Sequence, residues 1–203
     1  LKAPIDSLED LPPRQRIVFD GLVAVADTLR AEAKGAIATA QAAGVTVRMI
    51  TGDHVETAYH IGKELGLVQR RNQVFDSRQM SRMSDEKLAE RLATARVFAR
   101  VSPEHKHRIL EILKQNNITA MTGDGVNDIP ALTNAHVGVA MGSGAQITKD
   151  AGDIILLNDN FQSIVSAIHE GRTVYANIKR MVTYLLSTNL GEVIVSLGSL
   201  IAG

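Results

Sequence analysis

Short apolar runs alternate along this chain with longer segments whose apolar residues recur at helical spacing. Runs at residues 45–50, 96–99, 118–121, 137–141 and 153–157 each predict a strand, and 118–121 is expected to be buried. Between them, an alanine-rich segment at 31–43 stopped by Gly44, a segment at 55–65, and one at 104–115 with Ile109, Ile112 and Leu113 on one side predict helices. A further helix is expected to start at Ser84 as N-cap, with Lys87 where a capping box would prefer Glu. Residues 17–26, interrupted by Asp20 and Gly21, predict one or two more strands, and the polar, basic stretch 69–82 predicts a surface loop. Such alternation implies an α/β fold, a parallel sheet with helices on both faces and ligands at the carboxyl ends of its strands.

The pattern changes character towards the end. Residues 161–180 read as a long amphipathic helix with Ile164, Val165, Ile168 and Val174 on its apolar side, and from Met181 onward the only formal charge is Glu192. A run of this length could span a hydrocarbon core of about 30 Å, and Lys179 and Arg180 before it would keep residues 1–181 cytoplasmic. A buried helix is the other reading, because Thr183, Ser187, Thr188 and Asn189 dilute the signal. The expected organisation is a linker at 1–16, containing Pro4, Pro12 and Pro13, a domain at 17–160, a connecting helix at 161–181 and the beginning of a transmembrane helix at 182–203.

Composition adds mainly exclusions. Basic and acidic side chains balance at 22 each, which gives no field for nucleic acid, and the absence of Cys removes disulfides, thiolate zinc sites and a thiol nucleophile. Among the six His residues only His105 and His107 are neighbours, and helical spacing sends them to different faces, so they are expected at the surface rather than on a metal. No signal-peptide pattern precedes the first strand.

Chemistry is concentrated where two strands end. The stretch Thr122-Gly123-Asp124-Gly125-Val126-Asn127-Asp128 breaks a strand at a Gly-Asp-Gly turn and opens a helix, and Thr51-Gly52-Asp53-His54 does the same after residue 50. Glycines permit close backbone approach, helix N-termini favour anions, and carboxylates are hard oxygen ligands for Mg²⁺. These two turns could converge on one phosphate with Mg²⁺. A turn in which Asp124 or Asp53 only caps its helix is the alternative.

Taken with Phe98-Ala99-Arg100-Val101-Ser102-Pro103 and Lys106, these motifs resemble, in order, three signatures of the phosphorylation domain of P-type cation-transporting ATPases, a domain of the haloacid-dehalogenase-like (Rossmann-like) fold. The similarity continues through Gly138-Val139-Ala140-Met141-Gly142-Ser143-Gly144 and Asp153-Ile154-Ile155-Leu156-Leu157-Asn158-Asp159-Asn160-Phe161. The resemblance implies ATP and Mg²⁺ as cofactors. It makes Asp124 a Mg²⁺ ligand supported by Asp128, gives Thr51 and Lys106 the phosphoryl oxygens, and places Gly52, Asp53, Arg100 and Asn127 at nucleotide or phosphate. Leu186-Ser187-Thr188-Asn189-Leu190-Gly191-Glu192-Val193 resembles the start of the fifth transmembrane helix of type II pumps, with Asn189 and Glu192 as ligands of a transported cation, most similar to Ca²⁺ pumps. The implied partners are that cation, the lipid bilayer and the remaining domains of the same pump, with no nucleic acid.

The departures also carry information. The family's nucleophile lies in an Asp-Lys-Thr-Gly-Thr motif that this sequence does not contain, so the chain alone is expected to be inactive and to begin just after a nucleotide-binding domain. Asp27-Thr28-Leu29-Arg30 stands where pumps usually carry Asp-Pro-Pro-Arg. A rival reading makes Asp27 the nucleophile of a free-standing phosphatase of the same fold, although the second acid such enzymes usually carry is here Leu29. A non-catalytic interaction module is a third reading.

Overall fold

The structure, a computed structural model, describes residue 21 and residues 28–203. The linker at 1–16, the strands at 17–26 and Asp27 lie outside the described residues. In chain order the elements are α1 (Ala33–Ala42), β1 (Met49–Ile50), α2 (Val55–Glu64), β2 (Val74–Asp76), α3 (Asp85–Thr94), β3 (Val97–Ala99), α4 (Pro103–Lys114), β4 (Ala120–Gly123), α5 (Ile129–Asn134), β5 (Val137–Met141), α6 (Gln146–Asp150), β6 (Ile154–Leu156) and α7 (Phe161–Ala202). Helix α1 stops where the sequence predicts: Gly44 takes φ +79°, and the N–H groups of Gly44 and Val45 turn back to the carbonyls of Gln41 and Ala40. Ser84 caps α3, its hydroxyl accepting from the Lys87 N–H at 3.5 Å.

All strand pairing is parallel, and the strands divide into two three-stranded sheets, β1-β3-β2 and β4-β5-β6. Central β3 pairs Phe98 with both Ile50 and Phe75. Because successive side chains alternate across a strand, Val97 and Ala99 pack with Ile37 of α1 and Ala58 of α2, while Phe98 packs the opposite way with Leu88 and Leu92 of α3 and Ile109 and Ile112 of α4. Helices therefore cover both faces of this sheet. Phe75 and Phe98 meet edge to face at 6.3 Å between ring centres.

Two sequence expectations need correction. Residues 69–82 are not a surface loop: they contain β2, with Phe75 and Met80 buried, flanked by 3-10 turns at Arg71–Gln73 and Ser77–Arg82. Two apolar residues facing opposite ways suffice for an edge strand, and the neighbouring charge hid them, since Arg78 folds back onto Asp76. The strand expected at 118–121 begins only at Ala120, and it is not buried: Ile118 is 84% exposed and Ala120 is exposed. Among the described residues it lies at the edge of its sheet, pairing only with β5. His105 is half-buried rather than at the surface, whereas His107 is exposed.

Helix α7 runs unbroken for 42 residues through Gly171, joining the two segments that the sequence separates. Asn160 caps it, accepting from the Gln162 N–H at 2.7 Å. Its first turns dock on α1 through Phe161 and Val165 against Ala36 and Ala40, and Arg172 donates to the Ala43 carbonyl at 2.7 Å. The apolar part beyond is exposed throughout, which argues against a buried core helix; it is long and apolar enough to cross a membrane.

Candidate functional site

The carboxyl ends of β1 and β3 bring Thr51, Asp53 and Arg100 together. The Thr51 hydroxyl donates to Asp53 Oδ2 at 2.7 Å and accepts from the Asp53 N–H at 3.1 Å, which closes the Thr-Gly-Asp turn on itself. Asp53 is therefore engaged with Thr51, and the N-cap position of α2 falls to His54, whose side chain makes no capping bond. Arg100 has a left-handed backbone, φ +55°, an uncommon conformation for a residue with a Cβ. That twist lets its N–H donate to the Asp53 carbonyl at 2.9 Å and the Val101 N–H donate to the Thr51 carbonyl at 3.0 Å. Beside it, hydrogen bonds from the Arg78 side chain hold the Asp76 carboxyl below the usual carboxylate range.

A second group forms where β4 ends. Gly123-Asp124-Gly125 leads into a 3-10 turn at Val126–Asp128 and then α5. Asp128 is buried, and Lys106 Nζ from α4 reaches its Oδ1 at 2.5 Å; the two side chains are only 11% and 20% exposed. Ser102 and Pro103 set the start of α4, the serine hydroxyl accepting from the His105 N–H at 3.3 Å, and so fix the turn that carries Lys106. This ion pair links the two sheets, because Lys106 follows β3 and Asp128 follows β4. Asp124 is exposed, and its carbonyl accepts from the Ala145 N–H at 3.2 Å. A Cβ on Gly144 would come 2.7 Å from that carbonyl oxygen, so only glycine lets the 142–144 loop seat against the Asp124 turn.

That loop is tied in turn to Asp159, whose φ is +53° and whose Oδ1 accepts from the Ser143 N–H at 3.1 Å. Hydrogen bonds from the Ser143 side chain and backbone, with the Arg30 charge adding, hold the Asp159 carboxyl below its ordinary value. Arg30 Nη1 donates to the Asp159 carbonyl at 2.9 Å, joining the start of α1 to the end of β6.

Among the described residues, no three His, Asp or Glu side chains gather as a ready-made metal cage. The donor set nonetheless suits Mg²⁺, which commonly takes one or two carboxylates and leaves its other positions to phosphate oxygens and water. Asp124 presents a carboxylate with no hydrogen-bond or ion-pair partner among the described residues. Asp128 beside it is neutralised by Lys106. Gly52 and Asn127 lie exposed at the two turns. Asn189 and Glu192 share one side of α7 but stand far from both groups: at 1.5 Å per residue, Glu192 is about 45 Å along the helix from Phe161.

Sequence reasoning placed every strand-end residue at the correct end of a strand, and among the contacts it missed are two at these turns. His54 Nδ1 lies 2.5 Å from Arg100 Nη2, a contact between residues 46 positions apart that no local spacing announces. The seating of Gly144 on Asp124 is the second.

Comparison with known proteins agrees with this geometry. The family model for haloacid dehalogenase-like hydrolases matches residues 3–136. Calcium-transporting ATPase 1 of Bacillus cereus is 46% identical over 192 residues, covering 94% of this chain and 21% of that protein. A calcium-transporting ATPase of Listeria monocytogenes is 45% identical over 202 residues, covering 98% of this chain and 23% of its own length. A zinc-transporting PIB-type ATPase crystallised in an E2.Pi state superposes with a TM-score of 0.59 at 32% identity, over 76% of this chain and 21% of that one. The chain thus spans about a fifth of the length of the curated relatives it matches.

Proposed function

The chain belongs to the haloacid dehalogenase-like hydrolases, in the form carried as the phosphorylation domain by P-type cation-transporting ATPases, and from that premise we propose that it is the C-terminal part of this domain in an ATP-driven pump for Ca²⁺. The observation that carries the reading is the Lys106–Asp128 pair, which brings a half-buried ammonium to the carboxyl ends of the strands, near the exposed Asp124 carboxylate in the same turn as Asp128.

In this reading the γ-phosphoryl group of ATP passes to an aspartate outside this sequence, with ADP as leaving group. Lys106 and the Thr51 hydroxyl hold the transferring oxygens and offset the charge that accumulates on them. Asp124 holds Mg²⁺, which supplies further charge neutralisation when bound. Asp128 keeps Lys106 pointed at the site, and Gly52, Asp53, Arg100 and Asn127 line the nucleotide side. The arrangement of the two sheets supports a place for the nucleophile between them. Among the described residues, β1 pairs only with β3 and β4 only with β5, so each has one edge that no described strand occupies, and those strands lead into Thr51 and Asp124. A parallel strand set between them would carry its terminal aspartate to both turns.

Helix α7 is the transmission element. It is docked on α1 at one end and carries Asn189 and Glu192, three apart on one face, in the segment suited to a bilayer. Residues ahead of that segment then lie on the cytoplasmic side. Ca²⁺ is favoured because the similarity to the calcium-transporting relative covers 98% of the chain and so reaches Asn189 and Glu192. The test is phosphoenzyme formation from ATP in the full-length protein. Lys106→Ala and Asp124→Asn should each lower it by about 100-fold or more, while Glu192→Gln should weaken Ca²⁺ activation and leave Mg²⁺ dependence intact. Normal phosphorylation in the Lys106 and Asp124 variants would end this reading.

A further inference from the structure

Arg100 is held by its surroundings in an unusual way. Its left-handed backbone fastens its own N–H and that of Val101 to the carbonyls of Asp53 and Thr51, so the α-carbon moves only with the Thr51 turn. The guanidinium is a different matter. Its Nε is buried and has no partner, and the only hydrogen bond to the group among the described residues is the 2.5 Å contact from Nη2 to His54 Nδ1. Arginine can only donate, so Nδ1 must accept, which fixes the neutral tautomer with its proton on Nε2. The Asp76 carboxylate feels the Arg100 charge, yet it already accepts three hydrogen bonds from the Arg78 side chain.

We propose that His54 is a positioning residue: through Nδ1 it fixes the direction of the Arg100 guanidinium at the carboxyl end of β3 and so presets that arginine for the phosphate chain of a nucleotide. This rests on the reading of Arg100 as a nucleotide contact. Without the imidazole acceptor, the guanidinium is free to turn towards Asp76, and part of the binding energy of the nucleotide goes into recovering its direction. Protonating His54 would have the same result, because an imidazolium offers only donors and a like charge. The charged groups around the pair are Asp53 on its own turn, Asp76 at the end of β2 with Arg78 bound to it, and Glu56 in the first turn of α2 with Arg71 paired to it.

Two variants separate positioning from structure. His54→Phe keeps a ring and removes the acceptor; His54→Asn restores an acceptor oxygen close to the position of Nδ1. His54 is exposed and makes no capping bond, so neither change threatens the fold. Nitrogen relaxation at Arg100 Nε in this chain should show an ordered side chain in the native sequence, a mobile one in His54→Phe and recovered order in His54→Asn. In the full-length protein, His54→Phe should raise KM for ATP about fivefold with kcat within about twofold of native, and His54→Asn should return KM towards native. An Arg100 side chain equally ordered in all three overturns the positioning role directly. Mobility gained without a change in KM overturns the reading of Arg100 as a nucleotide contact, and with it the functional consequence proposed for His54.

Discussion

In the β1-β3-β2 sheet, Val97, Phe98 and Ala99 are fully buried and helices close both faces; in the β4-β5-β6 sheet, Ile154 and Ile155 each stay 44% exposed and Leu157 is 89% exposed. Both sheets are parallel and built from strands of two to five residues, and both present a candidate functional turn at the end of a strand that lies at the edge among the described residues. The difference lies in what surrounds them. The first sheet carries its own helices α1 to α4, whereas the second leaves apolar surface that none of the described residues covers. Exposed isoleucines on a strand are surface that a larger assembly would bury. The Asp124 half of the site is thus the half that depends on the rest of the protein.

Truncations sharpen the contrast most. Phe98→Ala removes a fully buried ring from the first sheet and should destabilise this chain by about 3–5 kcal/mol in denaturant unfolding. Ile154→Ala in the second sheet should cost about 1 kcal/mol or less, since nearly half of that side chain is already in water. Equal losses would mean the two sheets are finished to the same degree. Next in size is Gly144→Ala, whose new methyl would meet the Asp124 and Met141 carbonyl oxygens at 2.7 and 3.0 Å. It should cost about 1–3 kcal/mol and weaken Mg²⁺ binding by the native turn, measured by calorimetry, while the first sheet keeps its stability.

The smallest effect is one of pH. The Asp76 carboxyl is depressed by Arg78, so the stability it lends to the first sheet is present above the ordinary carboxylate range and disappears as pH falls through its lowered value. Asp76→Asn should flatten that part of the acid unfolding profile and leave neutral-pH behaviour close to native. A profile with unchanged slope would assign the acid sensitivity elsewhere.

How much of this was legible in the sequence also differs between the halves. Residues 137–141 form β5 as their short apolar run predicts, and Gly44 and Ser84 act as stop and cap because those signals are local. The strand-end positions of Thr51 and Asp124, and that of Lys106 in the first turns of α4, follow from the same local reading, helped by the family resemblance. Residues 118–121 carry the pattern of a central strand, and that pattern states what the segment needs rather than what this chain provides. Strand β2 was masked by the basic residues around Val74 and Phe75. The Lys106–Asp128 pairing joins two residues of the same expected site, but the contacts of His54 with Arg100 and of Arg30 with Asp159 arise only when distant elements fold together, and no period or spacing encodes them.

The central claim is that β1 and β4 are two halves of one site, separated by a strand that belongs to the rest of the protein. Amide hydrogen exchange tests it most directly, comparing Ile50 and residues 120–123 in this chain with the same residues in the full-length protein. Ile50 points its N–H away from β3, because Met49 and Thr51 already donate to the Arg96 and Phe98 carbonyls. The account predicts fast exchange at Ile50 and along the free edge of β4 in this chain, and slowing of at least about 100-fold in the full-length protein. Equal exchange at both edges in the two proteins would contradict it.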